Sequence, residues 1–158
     1  MLRTLSLVSL LALPLAALPQ SPAPNAGAPA PVPFVIPKAP SGTLAWETLQ
    51  QAKTVQKADK RFGPLFTQDI KALDRKDVKL FGFMMPLDQA RLQKRFLLAA
   101  YPPHCAFCLP SGPESLVEVI CDKPVEFTFD PIVISGRFAV LENDVVYYRL
   151  TNASAVPQ

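Results

Sequence analysis

Histidine and tryptophan each occur once in 158 residues, and cysteine occurs three times. That scarcity excludes a good deal of chemistry. A serine–histidine–acid triad would have to use His104 as its base, and no serine sits in a Gly-x-Ser-x-Gly elbow to partner it. A Gly-rich phosphate loop and a His-Glu-x-x-His zinc helix are both missing. No cysteine precedes Cys105, which argues against an early thiol carrying a lipid anchor. The apolar run at residues 5–18 is shorter than the ~20 residues a spanning helix needs. It also contains Pro14, and an interior proline costs a helix about 3 kcal/mol. Net charge is only +3. Residues 44–95 carry 11 basic and 6 acidic side chains, whereas residues 96–158 carry 3 and 7. That asymmetry is too mild for a nucleic-acid-binding arm, and no nucleic-acid partner is expected.

What is present begins with an export plan. Arg3 supplies a short positive region ahead of the apolar run, so residues 1–18 read as a signal sequence. Residues 19–42 form a Pro/Ala-rich linker, with prolines at 22, 24, 29, 31, 33, 37 and 40. So many prolines leave few amide donors for a hydrogen-bond ladder, and the expectation is an extended, semi-rigid spacer. Residues 43–158 are then a single domain in a periplasmic or secreted protein. No integral span remains after signal removal.

Residues 43–61 read as a helix, with Thr43 as N-cap, Leu44, Leu49 and Ala52 at roughly helical spacing, and Gly63-Pro64 as the stop. Residues 67–73 read as a second, shorter helix, with Thr67 as cap and Asp69 in its first turn. Five strand-like segments come next, at about residues 78–85, 96–101, 115–121, 131–141 and 145–150. Asn143-Asp144 suggests a tight hairpin between the last two. Gly82 and Gly136 each fall in mid-strand, where glycine marks a bulge, a sharp bend or a close backbone approach. The expected fold is mainly β: a small five-stranded OB-like antiparallel barrel with an N-terminal helical segment (α+β). An open antiparallel sheet with the same helices is the alternative.

The chemistry-bearing stretch runs from Tyr101 to Ser115, Tyr-Pro-Pro-His-Cys-Ala-Phe-Cys-Leu-Pro-Ser-Gly-Pro-Glu-Ser. It holds His104, Cys105 and Cys108 in a proline-stiffened loop between two strands. Thiolate and imidazole suit zinc or copper, and a Cys-x-x-Cys spacing lets two sulfurs face one ion. The candidate metal ligands are therefore Cys105, Cys108 and His104, with Zn or Cu as the metal. A structural disulfide, or an interaction module stabilised by one, is the second reading, since export permits disulfides. Plain packing is the third. A thiol oxidoreductase is an outlier: the flank Leu-Pro-Ser-Gly-Pro does not start a helix, and no βαβ unit precedes the pair. Cys121 lies on an apolar strand face and reads as core rather than ligand, and Met84 and Met85 read as packing residues. No catalytic residue is identified.

Several segments together resemble a known family. They are Phe81-Gly-Phe-Met-Met-Pro-Leu87, Phe96-Leu-Leu98, Cys105-Ala-Phe-Cys-Leu-Pro-Ser-Gly-Pro-Glu-Ser-Leu-Val-Glu-Val119 and Val133-Ile-Ser-Gly-Arg-Phe138. The opening Leu44-Ala-Trp-Glu-Thr-Leu49 fits as well. The chain is similar here to an uncharacterised family of small exported bacterial proteins with a domain of unknown function. Some relatives of that kind sit beside ABC-transporter components linked to metal handling. The resemblance therefore implies an envelope accessory role and an ABC-transporter component as partner. Related branches place a Cys-x-His pair where this chain has His-Cys-x-x-Cys. That implies soft ligands in the loop without a fixed Cys₃His set, and it carries over no catalytic residues.

Overall fold

The structure is a computed structural model and describes residues 37–103 and 112–157. The expected signal sequence and most of the expected linker lie outside the described residues. Within them the order is α1 (Trp46–Leu49), β1 (Lys53–Gln56), β2 (Phe62–Leu65), α2 (Gln68–Lys71), β3 (Asp77–Pro86), β4 (Leu92–Ala99), a 3-10 turn (Pro113–Ser115), β5 (Leu116–Glu126), β6 (Ile132–Val140) and β7 (Tyr148–Val156).

Strands β3 to β7 close into a barrel in the order β3-β4-β5-β7-β6. This is the five-stranded Greek-key arrangement of an OB-like barrel, as the strand pattern led one to expect. Four of the neighbouring pairs are antiparallel. The β5–β7 pair is parallel, so the barrel is mixed rather than purely antiparallel. The reason is topological. The chain leaves β5, crosses to β6 beside β3, and returns as β7 in the gap, running in the same direction as β5.

Alternation along the strands fills the barrel. Val117, Val119 and Cys121 of β5 meet Phe96 and Leu98 of β4, and Phe138 of β6 meets Leu150 of β7. Met84 lies in this core, whereas Met85 packs on the outer wall with Ala99 and Leu116, as period-2 alternation requires. Both methionines are packing residues.

Each mid-strand glycine sits where another backbone comes too close for a Cβ. A Cβ on Gly82 would lie 2.6 Å from the Ala99 carbonyl oxygen, and one on Gly136 would lie 2.9 Å from that of Thr151. Neither has a positive φ; the left-handed residue at the second site is Asn152, with φ 49°, on the opposing strand. There the β6–β7 register shifts between Ser135 and Arg137, so an additional β7 residue is accommodated as a bulge.

The N-terminal region departs from the expected long helix. Its helix has only four residues, and Ala45 rather than Thr43 precedes it, without a side-chain cap. Residues 53–65 form a β1–β2 hairpin that includes Gly63-Pro64. The turn is stabilised by the Lys57 amide donating to Arg61 O at 2.8 Å and by Lys60 in the left-handed region. Sequence periodicity failed here because the apolar residues do not form one helical stripe. Leu44, Trp46 and Leu49 each dock separately on the barrel. Helix α2 is as expected: Thr67 Oγ1 accepts from the Ile70 amide at 3.4 Å, and Ile70 is buried.

The expected tight turn at Asn143-Asp144 is a longer loop. The strands separate beyond the Val140–Tyr148 pair, and the Leu141 amide donates to Tyr147 O at 2.9 Å.

Candidate functional site

Strand direction places the β4–β5 connection, the β6–β7 loop and the N-terminal region at one end of the barrel. The β4–β5 connection carries the candidate ligands. His104, Cys105 and Cys108 lie outside the described residues, but the structure gives both roots of the loop that bears them. The ladder continues to Ala99–Leu116, and the Ala100 amide donates to Ser115 O at 3.1 Å. The Ser115 amide donates to Gly112 O at 3.0 Å, which fixes the 3-10 turn on the return side.

A side chain from the N-terminal region clamps the two roots together. Gln50 Nε2 donates to Ser115 Oγ at 3.0 Å and to the Tyr101 hydroxyl at 3.3 Å. Gln50 is in place because α1 is itself anchored: the Tyr148 hydroxyl donates to Leu49 O at 2.7 Å, and Trp46 Nε1 donates to Phe81 O at 2.8 Å. The loop therefore starts and ends at one closed point. Neither the ordering of α1 nor the role of Gln50 was legible in the local pattern.

Cys121 is not part of that loop end. It faces the barrel interior five residues beyond Leu116, a rise of roughly 16 Å along a strand. Burial, and secondarily the negative charge of Asp122, push its thiol up to about 11. A sulfur that stays protonated inside an apolar core is a poor ligand, because metals bind the thiolate.

Sequence reasoning passed over a second polar feature at the same end. Glu118 is 2% exposed although it points out from the barrel wall. Its carboxylate accepts from Arg95 Nε at 2.5 Å and, through its other oxygen, from Arg149 Nε. Arg149 Nη2 reaches Asp144 Oδ2 at 3.0 Å, tying the β6–β7 loop to the wall. Glu118 raises the Arg149 guanidinium above its ordinary value. The Val145 amide, followed by Arg149, holds the Asp144 carboxyl below its usual range. With every charge in this chain matched, the group is a set of ion pairs rather than an acid–base device. Its sequence signal was weak: a single Glu between valines, whose partners lie 23 and 31 residues away.

Among the described residues, no three His, Cys, Asp or Glu side chains converge on a point that could hold a metal ion. Any site built from His104, Cys105 and Cys108 would draw its donors from outside that set. Among the described residues, too, no helix is long and apolar enough to cross a membrane.

No curated protein matches the chain. Among solved structures, it is similar to the crystal structure of a DUF3299 family protein from Pseudomonas aeruginosa PAO1. The identity is 23%, with 80% of this chain and 91% of that chain covered and a TM-score of 0.48. The family model for DUF3299, described as a protein of unknown function, matches residues 35–154. The chain thus belongs to the DUF3299 family.

Proposed function

We propose that this protein is an exported, non-enzymatic accessory protein of the cell envelope. It binds a transition metal, zinc or copper, through Cys105 and Cys108, with His104 as the third donor, and passes it to an envelope partner such as an ABC-transporter component. One observation carries the reading: the loop bearing these donors is pinned at both roots by the Ala100–Ser115 hydrogen bond and the Gln50 clamp. A pinned loop with prolines at 102, 103, 110 and 113 has less freedom to lose, so the ordering cost of binding falls. Cys121, Met84 and Met85 are occupied in packing, which leaves the loop as the source of soft donors. The signal-like residues 1–18 and the proline-rich residues 19–42 support export and display away from the membrane.

Elemental analysis of the protein purified without added metal, beside a thiol count under denaturing conditions, tests this. About one equivalent of zinc or copper with all three thiols free supports metal binding. Absence of metal with one free thiol supports the disulfide-stabilised interaction module instead.

A further inference from the structure

Gln93, the second residue of β4, is a fully buried polar side chain with work for only half of its amide. Its Nε2 donates to Ala90 O at 2.5 Å, with Asp88 Oδ1 at 2.8 Å and Asp88 O at 3.3 Å also within reach. Three oxygens around one atom fix the orientation of the amide, because turning it over would set Oε1 against three acceptors. Oε1 is thereby aimed away from the β3–β4 loop, and no donor among the described residues reaches it. Buried acceptors are almost always paired, so an acceptor held in this way calls for a partner.

The β4–β5 ladder opens beside it. Gln93 pairs with Val125 and Arg95 with Ile120, so Lys94 alone stands opposite residues 121–124. The pairing of β5 with β7 ends at Cys121–Ala153. Asp122 to Pro124 are therefore in register with neither neighbour. A surplus of this size bows the longer strand away from its partner. The gap is bounded rather than frayed: beyond it Leu92 pairs with Glu126, and the Phe127 amide donates to Arg91 O at 2.9 Å. Pro124 has no amide hydrogen, so the backbone donors of this unpaired stretch are the amides of Asp122 and Lys123.

We propose that one internal water occupies this gap, donating to Gln93 Oε1 and accepting from the Asp122 or Lys123 amide. Water can serve an acceptor and a donor at once, as a metal ion cannot. The Asp88 carboxylate oxygen that faces Gln93 is already engaged, by Gln93 Nε2 and by the Ala90 amide at 2.9 Å. The water joins the β3–β4 loop, through Gln93, to the β5 bulge at the end of the barrel away from the cysteine loop. This inference stands whether or not that loop binds metal.

Two measurements on the intact chain test it. In rotating-frame NMR, the Asp122 or Lys123 amide shows a cross-peak to water with the sign of direct contact rather than of exchange. A crystal structure shows one ordered water within hydrogen-bonding distance of both Gln93 Oε1 and that amide. Gln93→Met removes Oε1 at similar length and abolishes the cross-peak, whereas Lys94→Met leaves it. If Gln93→Met does not fold, the crystal structure of the unsubstituted chain decides alone. A protein donor bonded directly to Oε1, a dry gap, a sodium or potassium ion in place of the water, or a cross-peak that survives in Gln93→Met overturns the proposal.

Discussion

The Tyr148 hydroxyl donates to the Leu49 carbonyl across 2.7 Å, joining the start of the last barrel strand to the end of a four-residue helix 99 positions away. A helix that short has no independent stability. It exists because the barrel holds it, and Gln50, the residue that clamps the cysteine loop, comes directly after it.

Tyr148→Phe removes that donor and leaves the ring packing in place. The Leu49 carbonyl retains the Ala52 amide at 3.1 Å, so it is not left bare. The expected loss is about 1 kcal/mol, a fall of about 4 °C for a domain of this size. Urea and thermal unfolding measure it. A loss above ~3 kcal/mol would show that the bond holds more than the α1 end.

Gly82→Ala is expected to cost more than Gly136→Ala. The first Cβ meets a carbonyl oxygen at 2.6 Å, the second one at 2.9 Å, and in both cases the neighbour is backbone. Overpacking of this kind costs about 1–3 kcal/mol. Equal and negligible losses in chemical denaturation would remove close strand approach as the reason for these glycines.

The barrel was legible in the sequence because its signals are local. Strands β3 and β6 are runs rich in strand formers, β5 alternates through Val117, Val119 and Cys121, and Gly82 and Gly136 sit mid-strand. The family resemblance was legible for the same reason, in short contiguous runs. What could not be read depends on partners far along the chain. Nothing near residues 46–56 says that Trp46 and Leu49 find partners at Phe81 and Tyr148, so helical spacing suggested one long helix. The parallel β5–β7 pair is a consequence of topology rather than composition. Glu118 gave no signal in the sequence because Arg95 and Arg149, which neutralise it, are brought alongside only when β4 and β7 flank β5. Cys121 was read correctly as core, because alternation with Val117 and Val119 is visible within five residues.

Glu118→Ala removes a buried carboxylate from between two guanidiniums. Breaking a buried pair costs about 3–5 kcal/mol, but Arg95 and Arg149 are 65% and 26% exposed and can turn to water. The expected loss is therefore about 1–3 kcal/mol. Arg95→Met is expected to cost under ~1 kcal/mol. A reversed order in urea unfolding would contradict the reading of Glu118 as the hub.

Stability is expected to fall as pH rises from about 9 to about 11, in part through Cys121. Its thiol has an ordinary value of 9.0 and is pushed up to about 11 in the fold. Across that window the unfolded chain has lost the proton and the native one retains it, so raising pH favours unfolding. Tyr148, shifted in the same direction by burial, adds to the fall at the alkaline end. Cys121→Ala lowers stability overall by leaving a small cavity, but it flattens the slope. Parallel pH profiles for the two proteins would show that Cys121 is not buried neutral.

The central claim is that the loop carrying His104, Cys105 and Cys108 is a metal site. Zinc and copper titration of the reduced protein, beside the folded Cys105→Ser, Cys108→Ser double variant, tests it most directly. The account predicts saturable binding near one equivalent. It should weaken as pH falls, because protons compete for the thiolates, and it should be lost in the double variant but kept in Cys121→Ala. Equal, weak binding by the reduced protein and the double variant would contradict it.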